Sequence, residues 1–212
     1  MDQHQEQLDA IKDIRSIMER STTFLSLSGL AGILVGVIAI AGVIIAYSFL
    51  GIGLTETGYY KLMLDQNGAI NNNVFQFLFF ELILLLVVAL ATSIFLARKN
   101  ASSKNLPLWD NTAKRLFVNL AIPLTAGGCY AGILLHHGYI ELIAPVTILF
   151  YGIAILNASK YTYNDIRSLG ILEIVTGLIA SLFVDYGLLF WAFGFGVLHI
   201  VYGLYIYFKY EK

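Results

Sequence analysis

Charge is scarce in this sequence. Of 212 residues, 13 are Lys or Arg and 14 are Asp or Glu, which makes 13% charged against about 25% in a soluble domain. The net charge of -1 removes the basic excess that would direct the chain to nucleic acid. Cysteine occurs once, at Cys129, which excludes an internal disulfide and any cysteine metal cluster. The apolar runs do not alternate with polar residues, as the strands of a membrane barrel would. Several catalytic signatures are missing as well: there is no HExxH helix, no GxSxG elbow and no GxxxxGK[ST] phosphate loop. A haem held between two histidines needs a partner at the depth of His199, whereas His136 and His137 fall near the opposite face. No cofactor is expected.

What is present is hydrophobicity, at 58% of residues and a mean hydropathy of +0.75. Six apolar segments stand out, at residues 24–50, 74–97, 116–136, 139–157, 168–184 and 187–208. Each is near the length that a hydrocarbon core of about 30 Å demands of a helix. The expected fold is therefore an all-α polytopic membrane protein with six transmembrane helices, spanning residues 23–210. The connections between spans three and four and between five and six are very short, which predicts tight antiparallel hairpins. Ahead of the spans, residues 1–22 place Leu8, Ile11, Ile14 and Met18 on one helical stripe, the pattern of an amphipathic helix lying at the membrane interface. A cleavable signal peptide is not expected, because the leading region is long and rich in acids.

Lys and Arg set the orientation, since basic loops stay on the cytoplasmic side. Lys12, Arg15 and Arg20 precede the first span; Arg98, Lys99, Lys104, Lys114 and Arg115 follow the second; Lys160 and Arg167 follow the fourth; Lys209 and Lys212 follow the sixth. Only Lys61 falls on the other side. An even number of spans with both termini in the cytoplasm satisfies every loop.

Against this apolar background a few polar residues call for a reason. In GILEIVTGLIA, residues 170–180, Glu173 is surrounded by apolar and small residues. A charge near the bilayer centre costs about 2.5–3.5 kcal/mol on insertion scales, so such a residue faces a partner or a cavity. His199 in the sixth span lies at a comparable depth, and Asn119 and Asn157 complete an inner-facing set of ligand or proton-site candidates. Toward the outer side Glu81, His136, His137 and Glu141 are weak candidates for metal ligation, without a recognised spacing on one helix. Pro123 and Pro145 lie inside spans three and four, where each frees the carbonyl four residues earlier. GLAGILVGVIA at 29–39 echoes 170–180, so that Gly29 and Gly36 meet Gly170 and Gly177. Either a repeat of hairpins or independent use of small residues for close packing explains it. Glycine-rich helix faces also make a homodimer possible, and the lipid bilayer is the partner that the composition requires.

The stretches DIRSIMERST, LIAPVTILFYGIAILNASKYTYNDIR and GLLFWAFGFGVLHIVYG resemble those of a group of small six-span bacterial inner-membrane proteins. The resemblance covers most of the chain. It implies a bacterial inner-membrane location and carries no activity. Three readings of function fit the sequence: small-solute or proton-linked transport or ligand binding through an inner-facing polar pocket, an intramembrane enzyme acting on a lipid, or a noncatalytic scaffold. The topology has a direct check. In a variant lacking Cys129, an impermeant thiol reagent added outside should modify a cysteine at Asn72 and spare one at Ser103; modification at 103 contradicts the orientation.

Overall fold

The computed structural model describes residues 28–53, 56–65, 68, 70–104 and 109–212. The expected amphipathic helix at 1–22 lies outside them. Among the described residues the chain is helical, with one isolated antiparallel bridge, Leu64 to Ile70. Helices α1 (Gly29–Leu50), α2 (Asn72–Ser103), α3 (Asn111–His136), α4 (Ile143–Ala158) and α5 (Ile166–Leu182) are followed by a composite last segment, Val184–Tyr210. That segment consists of a 3-10 turn, α6 (Gly187–Trp191), a π-helical stretch Ala192–Leu198 and α7 (His199–Tyr210). Among the described residues five helical stretches are long and apolar enough to cross a membrane: α1, α2, α3, Ile140–Tyr161 around α4, and Val184–Tyr210. At 17 residues α5 spans about 26 Å, slightly less than the hydrocarbon thickness.

Local chemistry sets the helix ends. The Asn71 side chain accepts from the backbone N–H of Asn73 and Val74 to start α2, and Asp110 accepts from Ala113 at 2.6 Å to start α3. Gly51 takes a left-handed φ of 67°, which ends α1. Helix α2 runs to Ser103 instead of stopping near residue 97, because ARKNASS continues the helical hydrogen bonding beyond the apolar run. Its 32 residues extend about 48 Å, so Arg98 and Lys99 project past the apolar layer. Pro145, which the sequence places inside span four, falls in the first turn of α4 instead. There the missing N–H is one the helix has no use for. Pro123 does lie inside α3.

Helix α1 packs between α2 and the last segment, while α4 packs on α3 and α5 and also touches α6. Two glycine interfaces bring these backbones together. A Cβ at Gly29 would meet the Gly203 carbonyl at 2.5 Å, and one at Gly36 the Gly196 carbonyl at 2.6 Å. A Cβ at Gly170 would meet the Leu156 nitrogen at 2.7 Å, and one at Gly177 the Leu149 nitrogen at 2.7 Å. The two echoing segments thus use glycine alike but pair unlike elements, α1 with the last segment and α5 with α4. The tight hairpin expected of α5 and the last segment is correspondingly loose, since α5 spends its glycine face on α4.

Side-chain clasps close both ends. At the end rich in Lys and Arg, Asp165 accepts from Lys209 at 2.9 Å, Tyr210 at 2.8 Å and Tyr205 at 3.4 Å. Beside it the Glu211 carboxylate accepts from the Gly29 N–H at 2.5 Å and from the Ser28 hydroxyl at 3.4 Å, a negative charge set on the positive end of α1. At the opposite end the 3-10 turn Tyr59–Met63 folds onto the helices, burying Tyr59 and Met63 with Ile140 and Ala144.

The hydrogen bond from Lys209, followed by those from the tyrosines, holds the Asp165 carboxyl below the usual carboxylate range against some desolvation. A lowered folded-state value means stability that is present above the ordinary carboxylate pKa of about 3.9 and is lost as pH falls through the lower one. The margin by which wild type outlasts Asp165→Asn in thermal unfolding in detergent should be full near neutrality and shrink below about pH 4. An equal margin in acid and at neutrality contradicts this.

Candidate functional site

Glu173, at the eighth position of α5, is fully buried at 0% exposure. Two glycines make the room for it. A Cβ at Gly152 of α4 would meet the Glu173 Cβ at 2.8 Å, and a Cβ at Gly194 of the π-helical stretch would meet Glu173 Oε2 at 2.6 Å. The side chain therefore lies sandwiched between the backbones of two neighbouring segments. Ile148, itself at 0% exposure, lies against the same Gly194.

His199 is 6% exposed and sits where the π-helical stretch gives way to α7. Its Nδ1 lies 3.0 Å from the Gly194 carbonyl, and its Nε2 lies 2.6 Å from the Tyr151 hydroxyl. A carbonyl only accepts, so Nδ1 is the nitrogen that donates there; in the neutral ring Nε2 is then the acceptor from Tyr151. Glu173 Oε1 lies 3.5 Å from Nδ1, beyond the usual N–H···O distance of about 2.9–3.0 Å. Both imidazole nitrogens are thus engaged elsewhere, and neither Glu173 oxygen has a hydrogen-bond partner among the described residues. A buried polar atom left unmatched costs about 1–3 kcal/mol, more when charged. The arrangement stays favourable only if a proton, a cation or a polar ligand meets the carboxyl group. Stretches of π-helix recur at functional positions, and here one turns the Gly194 carbonyl toward the His199 ring.

The site is walled on both sides. Toward the basic end Ile155, Leu169 and Leu198 form a buried cluster with Tyr151, Ile166 and Tyr202 packed on it. Toward the opposite end the Phe195 ring lies between Trp191, at a centroid distance of 4.5 Å, and Tyr151, at 4.8 Å.

The sequence brought out Glu173 and His199 as a pair, and the structure places them together. Asn119 and Asn157 do not join them. The Asn157 amide donates to the Asn119 backbone carbonyl at 3.0 Å and its oxygen accepts from Lys160, while the Asn119 amide donates to the Arg115 carbonyl. The Asn119 carbonyl is the one that Pro123 leaves without a helical donor, so Asn157 satisfies the bend in α3 rather than a pocket. Tyr151 is the member that sequence reasoning missed. Its signal was position: it lies in the middle of its span, away from the interfacial belts where tyrosine is ordinary. His136 and His137 meet edge to face at 5.3 Å at the far end of α3, Glu141 sits in the 3-10 turn Ile140–Leu142, and Glu81 lies in α2. Among the described residues no three His, Cys, Asp or Glu side chains converge as metal ligands.

The fit between Glu173 and Gly194 makes a coupling prediction. Gly194→Ala should destabilise the wild-type protein, because the added methyl group collides with the carboxyl. In a Glu173→Ala background the same change should be neutral or stabilising, since alanine favours helix over glycine by about 1 kcal/mol. Thermal unfolding of the four proteins should give a coupling of about 0.5–3 kcal/mol, and additive effects contradict the contact. No family model, curated protein or solved structure matches this chain, which leaves the geometry around Glu173 as the guide to what the protein does.

Proposed function

We propose that this is a bacterial plasma-membrane protein with six crossings, α5 included, and both termini in the cytoplasm, and that it carries a small solute in a proton-linked cycle. Glu173 is the group that takes and gives up the proton, or exchanges it for a cation. His199 and Tyr151 form the polar wall that faces it. The clustering of Lys and Arg at one end of the helices supports the orientation. The observation that carries the site is the pair of fully buried carboxyl oxygens without a donor, next to an imidazole whose two nitrogens are already engaged.

Apolar clusters stand toward either end of the helices from Glu173, which in a carrier cycle corresponds to an occluded state. A carrier cycle requires that one wall yield at a time. The π-helical stretch is the element best placed for that, because a return to α-helical winding would rotate Gly194 relative to His199 and open the cradle of the carboxyl group.

The test is infrared difference spectroscopy of the protein in bilayers on a pH change. Wild type should show a protonated-carboxyl carbonyl signal that changes with pH and is missing in Glu173→Gln, while Glu173→Gln unfolds at nearly the wild-type temperature because an amide carries no charge to bury. A signal that persists unchanged in Glu173→Gln, or none in wild type, contradicts the proposal.

A further inference from the structure

Where α5 and the last segment diverge they leave a groove of about 460 Å³ lined by Ile179, Phe183, Tyr186, Leu189, Phe190 and Phe193. Its volume falls within the range of about 300–1,000 Å³ typical of small-molecule sites, and its walls are almost wholly aliphatic and aromatic. On the six-crossing reading proposed above, on which this inference rests, both flanking helices cross the membrane and hydrocarbon is what the groove meets.

The connection between α5 and the last segment, at one end of the groove, carries charge. Asp185 lies in the chain between the lining residues Phe183 and Tyr186, and its Oδ1 takes both the Tyr60 hydroxyl at 3.2 Å and the Lys61 ammonium at 3.9 Å. The Lys61 side chain is 69% exposed and that of Asp185 45%. At 3.9 Å the pair is an ionic contact too long for a direct hydrogen bond, so Lys61 keeps donors to offer and Asp185 keeps Oδ2. A positive and a negative group side by side at the head of an apolar groove match the phosphate and the ammonium of a zwitterionic headgroup. An anionic lipid without an amine, such as phosphatidylglycerol, supplies the phosphate but no cation for Asp185.

We propose that the groove is a phospholipid site selective for an amine-bearing zwitterionic lipid: one acyl chain lies along Phe183, Phe190 and Phe193, the phosphate meets Lys61, and the ammonium meets Asp185. This assignment is independent of the proton site at Glu173.

A photoreactive benzoylphenylalanine at Phe190 tests it, with the full chain reconstituted in vesicles of equal phosphatidylethanolamine and phosphatidylglycerol carrying the same acyl chains. The lipid adducts are identified by mass. A second probe at Phe80, which is 67% exposed on α2, reads the bulk bilayer. Adducts at 190 should be enriched in phosphatidylethanolamine over those at 80 by about two- to fivefold, the scale of a contact between exposed charges. Lys61→Glu should bring the two positions to the same ratio. Equal ratios in wild type, or no lipid adduct at 190, would overturn the site; enrichment that survives Lys61→Glu would overturn the headgroup assignment.

Discussion

The seat of one carboxyl group organises the centre of this molecule. Glu173 needs a place out of lipid, and it has one only because Gly152 and Gly194 present bare backbone on either side of it. Any larger residue at either position would push α5 away from α4 or from the last segment. The same close approach sets Ile148 against Gly194 and brings Tyr151 of α4 within hydrogen-bond reach of His199. Packing and chemistry are therefore one constraint here: the helices stand where the carboxyl group fits.

Around that centre, association does not depend on burying apolar surface from water, since lipid is as apolar as leucine. Close backbone contact takes over that role. Gly29, Gly36, Gly196 and Gly203 join α1 to the last segment, and Gly152, Gly170 and Gly177 join α4 to α5. Polar clasps at the ends add direction: Asp165 holds the end of α7, and Glu211 holds the start of α1. Helix α2 meets α1 through Leu85, which packs on Gly42, and its most apolar stretch has no buried residue. It lies at the edge of the helices with large apolar side chains such as Phe80 and Phe95 exposed.

Much of this was legible in the sequence because two strong signals act there, segment length and the cost of charge in hydrocarbon. Length located the apolar segments, and cost singled out Glu173 and His199. What stayed hidden depended on rotation about helix axes and on pairing between helices, which a single chain of letters does not encode. Asn157 read as a pocket residue, yet it turns to the carbonyl that Pro123 frees. Pro145 read as interior to its span, but the helix begins two residues before it, after the 3-10 turn Ile140–Leu142. Tyr151 was passed over among many tyrosines, and nothing in AFGFGVL announces a π-helical stretch.

The central claim is that Glu173 and His199 face each other across the interior of the protein in the membrane. Solid-state NMR on bilayer samples with carbon-labelled glutamate and nitrogen-labelled histidine measures it directly. The account predicts a dipolar coupling between a glutamate carboxyl carbon and a histidine Nδ1, in keeping with an Oε1–Nδ1 distance of 3.5 Å, that vanishes in Glu173→Ala. No such coupling in the wild-type protein, or one that survives Glu173→Ala, would contradict it.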